Sequence, residues 1–159
     1  MNPHLSSLSF FFFLIFFVKR GYSDITACLN AITQQTGMVT FHGPLGLSDW
    51  APQSTDVFWA NQVLAKAQLA SFRNSPDYAA NLTTLKPGTA TGRLIGGNLS
   101  VFTAIMGSKY VPADFTNTIL FLEDVNEASY SIDRMLTQLQ LAGVLDQISG
   151  FIWYVNKEK

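Results

Sequence analysis

The segment Gly-Tyr-Ser-Asp-Ile-Thr at positions 21–26 decides the fold, because it lies between an apolar run and the start of a predicted helix. The helix prediction covers 24–35, with Asp24 as its cap and Gly37 as its end. A short apolar strand follows at 38–41. Strand, helix and strand in succession indicate a βαβ unit, so the sequence predicts an α/β fold with a mostly parallel sheet. The apolar positions expected on the inner face of this helix are Ile25, Cys28, Leu29 and Ile32.

The second half of the chain repeats the alternation of strands and helices. Strands are predicted at 89–95, 118–123 and 148–155, with helices at 99–106 and 129–142. Gly-Gly-Asn at 96–98 is interpreted as a tight turn, and Gly143 as a helix stop. The inner face of the helix at 129–142 is predicted to consist of Ile132, Met135, Leu136 and Leu139.

A segment rich in proline, asparagine and threonine separates the two halves. A second helix is predicted at 56–72, and the linker that follows it at 76–88. We therefore expect part of an N-terminal mostly parallel α/β sheet domain at 21–75. The start of a C-terminal, β-rich α/β domain is expected at 89–159, and residues 1–20 form an apolar leader.

The composition argues against nucleic-acid binding and against a disulfide-stabilised fold. Apolar residues make up 48% of the chain and charged residues 13%, against about 25% charged in a typical domain. A net charge of -1 gives no electrostatic basis for binding nucleic acid. Cys28 is the single cysteine, which excludes an internal disulfide, and we interpret it as a small buried hydrophobic residue.

The apolar leader contains the run Phe10 to Val18, followed by Lys19 and Arg20. Nine residues are too few for a membrane span, which needs roughly 20. A buried strand or a misread gene start is favoured over a signal-peptide core, because the positive charges follow the run instead of preceding it. A membrane location is not expected. If the run were a signal core, the protein would be secreted or attached to a membrane.

Two polar residues stand where a hydrolytic site would need them. Ser23 lies on a predicted strand-to-helix turn, where a hydroxyl projects and the next N–H, that of Asp24, can stabilise an oxyanion. Glu123 ends an apolar strand, with Asp124 and Glu127 as alternatives. Taken singly, Ser23 and Glu123 are more typical of helix caps or solvated residues.

A serine nucleophile also needs a base, which is usually histidine. The chain has two histidines, His4 and His42. His42 precedes Gly-Pro and has no acid near it in sequence, so catalysis by this residue is not favoured.

Four segments in order closely resemble the LD-carboxypeptidase family of serine peptidases, which includes the microcin immunity proteins. They are Gly-Tyr-Ser-Asp-Ile-Thr at 21–26, Thr-Phe-His-Gly-Pro at 40–44, Leu-Ile-Gly-Gly-Asn-Leu-Ser at 94–100, and the segment 119–136 that begins Ile-Leu-Phe-Leu-Glu-Asp. The likeness extends from Gly21 to about Trp153.

The resemblance implies a Ser-Glu-His triad with Ser23 as nucleophile, Glu123 as the residue that orients the histidine, and the Asp24 N–H as an oxyanion donor. It implies release of D-alanine from a murein tetrapeptide during cytoplasmic peptidoglycan recycling, with no metal or other cofactor. The implied partner is therefore a peptide substrate. Murein recycling and an immunity-type hydrolysis both remain open.

The chain also departs from the family pattern. Residues 1–20 do not match it, and the family's catalytic histidine lies in a segment beyond position 159, so we expect a family member truncated at both ends. His42 corresponds to a non-catalytic histidine of the family. We therefore expect little or no turnover. The alternative is a non-enzymatic fragment or pseudoenzyme, whose open strand edges would favour self-association.

Overall fold

The computed structural model describes residues 20–43 and 82–156. Predictions for the Phe run at 10–18, the helix at 56–72 and the first part of the linker lie outside the described residues. The described residues 20–42 and 90–156 belong to one compact unit, whereas 43 and 82–89 belong to a second. The site described below lies within the first unit.

The described elements alternate between strands and helices. The first three are β1 (Arg20–Gly21), α1 (Ile25–Thr36) and β2 (Phe41–His42). They are followed by β3 (Arg93–Asn98), α2 (Leu99–Ala104), β4 (Thr118–Val125), α3 (Ser129–Leu141), α4 (Val144–Gln147) and β5 (Gly150–Asn156).

All the described strand pairs are parallel. β1 pairs with β2, and β4 lies between β3 and β5 in a three-stranded sheet. Helices connect the strands of the larger sheet, as parallel pairing requires, because each chain must cross back before the next strand begins. The α/β class with a parallel sheet is therefore confirmed.

The core lies between one face of the larger sheet and helices α2 and α3. Side chains alternate along β4, so that Leu120 and Leu122 are almost fully buried while their neighbours face the other side. Phe102 of α2 is completely buried, which stabilises the fold by about 1.5–3 kcal/mol. The buried cluster consists of Ile95, Leu99, Phe102, Val111, Phe115, Leu120, Leu122, Leu139 and Val144.

Helix α3 agrees with its prediction. It ends before Gly143, which takes a left-handed φ of 73°. Leu139 is buried, and Ile132, Met135 and Leu136 pack against the core cluster. The short helix α4, which follows Gly143, was not predicted.

Helix α1 has the predicted bounds within one residue, and Leu29 is buried as predicted, but the predicted inner face is wrong at Ile25 and Cys28. Thr26 and Leu29 are its buried residues, while Cys28 is exposed and Ile25 is 38% exposed. Thr26 and Asn30 of the helix form hydrogen bonds with β3, and a search for apolar spacing cannot find such contacts. The interpretation of Cys28 as a buried hydrophobic residue is therefore also wrong.

The predicted tight turn at 96–98 is wrong as well, since β3 continues through these residues directly into α2. The glycines serve close packing instead. A Cβ on Gly97 would lie 2.6 Å from the Thr26 side chain, and a Cβ on Gly96 would collide with the Phe121 carbonyl. Glycine thus allows α1 and β4 to approach the β3 backbone.

Among the helices of the described residues, none has the length and apolar character that a membrane crossing would require.

Candidate active site

Ser23 occupies a sharp turn between β1 and α1. Its φ is +56°, a left-handed conformation that costs a non-glycine residue roughly 1–2 kcal/mol. The turn is closed by Ile25 N–H donating to the Tyr22 carbonyl at 3.3 Å and Thr26 N–H donating to the Ser23 carbonyl at 2.9 Å. A strained strand-to-helix turn of this kind presents a serine hydroxyl away from the sheet. The Ser23 side chain is exposed.

Gly21 makes the turn sterically feasible. A Cβ at this position would lie 2.5 Å from the Ile25 side chain, which folds back over the strand. β1 and α1 can therefore pack this closely only if position 21 has no side chain.

Asp24 begins the helix, with helical φ and ψ of -55° and -26°. Its side chain makes no capping hydrogen bond, so the predicted cap is wrong in that respect. Its backbone N–H belongs to the N-terminal end of α1, where the helix dipole favours a negative charge.

Glu123 lies near the end of β4, on the face opposite the core. It is paired in register with Asn98 of β3, which donates a hydrogen bond to its side chain. Burial raises the pKa of the Glu123 carboxyl, the Asn98 hydrogen bond opposes this shift, and the charge of Asp124 adds to it. Its Oε1 atom is buried and lacks a hydrogen-bond partner.

Asp124 and Glu127, the two alternatives to Glu123, lie in different surroundings from it. Asp124 points to the core face and is 5% exposed, and its Oδ2 accepts from the Ser100 N–H at 3.3 Å. Its Oδ1 accepts from the Val125 N–H at 2.8 Å. Asp124 therefore anchors the start of α2, while Glu127 is exposed after the strand.

His42, which sequence reasoning separated from any acid, lies beside Glu123. Its Nε2 is 3.6 Å from Glu123 Oε1, and its ring packs edge-to-face on Phe121 with centroids 5.3 Å apart. Burial lowers the pKa of the His42 imidazole. Sequence spacing could not reveal this contact, because it joins two sheets through residues that are far apart in the chain.

Asn98 connects the serine turn to Glu123. Its backbone N–H donates to Thr26 Oγ1 at 3.0 Å, and Thr26 is the third residue after Ser23. Its Oδ1 caps α2 by accepting from Val101 N–H at 3.2 Å. Sequence reasoning missed this residue, although an asparagine immediately before a helix is a recognisable cap signal.

The structure thus brings Glu123, His42 and Asn98 together, and it links Ser23 to them through the first turn of α1. His42 Nδ1 is buried and has no hydrogen-bond partner. In the part of the chain that the structure describes, no group of three or more histidine, cysteine or acidic side chains is arranged to hold a metal ion.

A parallel sheet with a strained serine turn at the start of a helix is typical of α/β enzymes that use a serine nucleophile. The chain belongs to the LD-carboxypeptidase family. The family's N-terminal domain model matches residues 17–43 and its C-terminal domain model matches residues 91–156, together more than half of the chain.

Curated relatives agree with this assignment. A probable murein peptide carboxypeptidase of Bacillus subtilis is 39% identical over 142 residues, which cover 83% of this chain and 41% of the relative. The microcin C7 self-immunity protein MccF of Escherichia coli is 30% identical over 157 residues, covering 83% of this chain and 46% of that protein. The chain therefore spans less than half of the length of these relatives.

Solved structures give the same result. The microcin C7 self-immunity protein MccF without ligand superposes with a TM-score of 0.67 at 27% identity, covering 86% of this chain and 48% of that one. A muramoyltetrapeptide carboxypeptidase from Oxalobacter formigenes superposes with a TM-score of 0.60 at 25% identity, covering 88% of this chain and 46% of that one.

Proposed function

We propose that this chain carries the nucleophile and the acid of an LD-carboxypeptidase-type serine hydrolase. The observation that carries the proposal is the left-handed turn at Ser23, with a φ of +56°, between a strand and a helix. Strain at one non-glycine residue is retained where a side chain must be presented in a fixed direction. Family membership supports the same role for Ser23.

In the proposed reaction, Ser23 Oγ attacks the carbonyl carbon of a peptide bond. The hydroxyl proton passes to a base, the C–N bond breaks, and the protonated amine leaves as a free amino acid. Water then hydrolyses the acyl ester on Ser23. The Asp24 N–H stabilises the oxyanion, and Glu123 orients the base and stabilises its positive charge.

The proposed substrate is a murein tetrapeptide that loses its terminal D-residue in the cytoplasm during peptidoglycan recycling. Support comes from the relatives named as murein peptide and muramoyltetrapeptide carboxypeptidases. MccF structures have also been solved with aspartyl sulfamoyl adenosine and glutamyl sulfamoyl guanosine. Both sets of names favour a peptide-like substrate and leave its exact residues open.

We further propose that the 159-residue chain has little turnover by itself. His42 turns Nε2 toward Glu123 and keeps Nδ1 buried, so this histidine is not arranged as the base for an exposed Ser23. A triad without its base retains at best a residual rate enhancement of about 10³–10⁴ over water.

The test is incubation of the chain with murein tetrapeptide and an assay for D-alanine, beside Ser23→Ala and Glu123→Gln. We expect at most a slow release that Ser23→Ala abolishes. Release unaffected by Ser23→Ala would show that the site is misassigned. Robust release that requires Ser23 would contradict the proposed inactivity and demand another base.

The second candidate is a chain without catalytic activity, and it is favoured by the burial of His42 Nδ1, which keeps this histidine from serving as the base for the exposed Ser23. In that case the chain would show no Ser23-dependent release and no binding. NMR titration with the tetrapeptide distinguishes the two, since only the first candidate predicts shifts of the amides at 23–26 and 123.

A further inference from the structure

We propose that His42 is a positioning residue for Glu123, which it holds by donating its Nε2 proton to Oε1. The inference rests on the proposed function in one respect, since Glu123 matters for catalysis only if Ser23 is the nucleophile. The arrangement itself can be tested without any turnover.

The first argument is the unsatisfied oxygen of Glu123. Oε1 is buried without a hydrogen-bond partner, and a buried carboxylate oxygen that stays unpaired is costly. His42 Nε2 is 3.6 Å from Oε1, longer than the roughly 2.7–3.2 Å of a formed N–H···O hydrogen bond, so the ring would have to move closer to donate. Hydrogen bonds in enzyme sites without substrate are often long and tighten when substrate binds.

The second argument is the fixed direction of the imidazole. Phe121 and Glu123 lie on the same face of β4, and the His42 ring stands edge-to-face on Phe121 at an interplanar angle of 69°. His42 also ends β2, where it is paired in register with Gly21 of β1. The backbone and the ring contact therefore both hold Nε2 toward the carboxylate.

The third argument is the protonation of the two nitrogens. Burial lowers the pKa of His42, so its neutral form, with one N–H, predominates at neutral pH. If Nε2 carries that proton, it faces an acceptor, and the unpaired Nδ1 is then a bare acceptor, not a buried donor. The opposite tautomer would leave a buried N–H unpaired and place a bare nitrogen against a carboxylate.

Glu123 would then be held from two sides. Asn98 donates to its carboxyl group from β3, and His42 donates to Oε1 from β2. Asp124 is the charged neighbour that acts against ionisation of Glu123. Two donors offset this repulsion and fix the plane of the carboxylate, so that its remaining lone pairs can orient a second imidazole.

The experiment is a carboxyl carbon-13 NMR titration of Glu123 in the 159-residue chain, with two substitutions of His42. His42→Phe keeps a ring on Phe121 but removes the donor, and His42→Gln keeps an N–H donor. We expect His42→Phe to raise the Glu123 midpoint by about one pH unit, because the charged form loses a hydrogen bond, and His42→Gln to restore most of this shift.

The reciprocal titration follows the His42 nitrogens by nitrogen-15 NMR, with His4→Gln to assign the signals. Glu123→Gln should lower the titration midpoint of His42, and the neutral form of His42 should show the proton on Nε2.

An unchanged titration midpoint of Glu123 in a folded His42→Phe variant overturns the proposal. If that variant does not fold, an unchanged His42 midpoint in Glu123→Gln overturns it. Neither titration depends on release of D-alanine. The positioning role of His42 and the proposed function are therefore tested independently.

Discussion

At the scale of single residues, backbone strain distinguishes Ser23 from an ordinary cap. A serine cap normally has an extended φ and bonds to the helix with its side chain. Ser23 instead takes a φ of +56°, and its exposed hydroxyl is left for other contacts. The sequence motif predicted the turn, whereas the conformation became visible only in the structure.

This strain predicts that glycine at position 23 is more stabilising than alanine. Ser23→Gly should have a free energy of unfolding about 1 kcal/mol higher than that of Ser23→Ala, because glycine adopts a left-handed φ without steric cost. Urea unfolding of the two variants measures the difference. Since both lack the hydroxyl, they are a matched pair for strain. Equal stabilities would mean that the turn is unstrained.

The identity of the acid also belongs to this scale. Glu123 and Asp124 are adjacent in sequence, and spacing alone left them as competitors. Alternation along β4 places Asp124 against the start of α2 and Glu123 on the opposite face, beside His42. Asp124 is therefore used to hold the start of α2, whereas Glu123, the residue that matched the family motif, faces His42.

At the scale of elements, hydrogen bonds join α1 to β3. Thr26 Oγ1 accepts from the Asn98 N–H, and Asn30 Nδ2 donates to the Gly96 carbonyl at 2.9 Å. These bonds fix the first turn of the helix, and hence the serine turn, against the strand that ends beside Glu123. Apolar spacing predicted Leu29 on the buried face of α1 but missed Thr26, because it selects apolar residues only.

The contact predicts different effects for two substitutions of Thr26. Thr26→Val should lower the free energy of unfolding by about 1–3 kcal/mol, because it leaves the buried Asn98 N–H unpaired. Thr26→Ser should cost less, since it keeps the hydroxyl. Chemical denaturation measures both.

The matched control is Thr36→Val on the same helix. Thr36 is exposed and bonds to the Ile32 carbonyl at 2.7 Å, so water can replace its hydroxyl. Thr36→Val should therefore lower the free energy of unfolding by no more than about 0.5 kcal/mol. A Thr26→Val variant as stable as this control would mean that the helix does not depend on the Asn98 bond.

At the scale of the whole molecule, the larger sheet is buried on one face and partly bare on the other. Among the strands that the structure describes, β3 and β5 form its edges, and apolar side chains on the bare face include Leu94, Ile152 and Tyr154, which are 61%, 53% and 54% exposed. Exposed strand edges with apolar neighbours are templates for association between chains.

We therefore expect the chain to self-associate as its concentration rises. Ile152→Lys should shift sedimentation toward the monomer, because it places a charge on the bare face beside an edge. Leu141→Lys is the control, since Leu141 is 84% exposed on α3 and away from the sheet. Equal association of both variants would exclude this face as the contact.

The sequence by itself determined the α/β class, the bounds of α1 and α3, and the candidates Ser23 and Glu123, because these depend on local periodicity, on glycine helix ends and on short motifs. Only the tertiary structure decided which face of α1 is buried, why Gly97 is needed, and that His42 lies beside Glu123. These features depend on contacts between residues distant in the chain, such as the 72 positions between Thr26 and Asn98. Backbone sterics and polar pairing across that distance leave no periodic signal in the sequence.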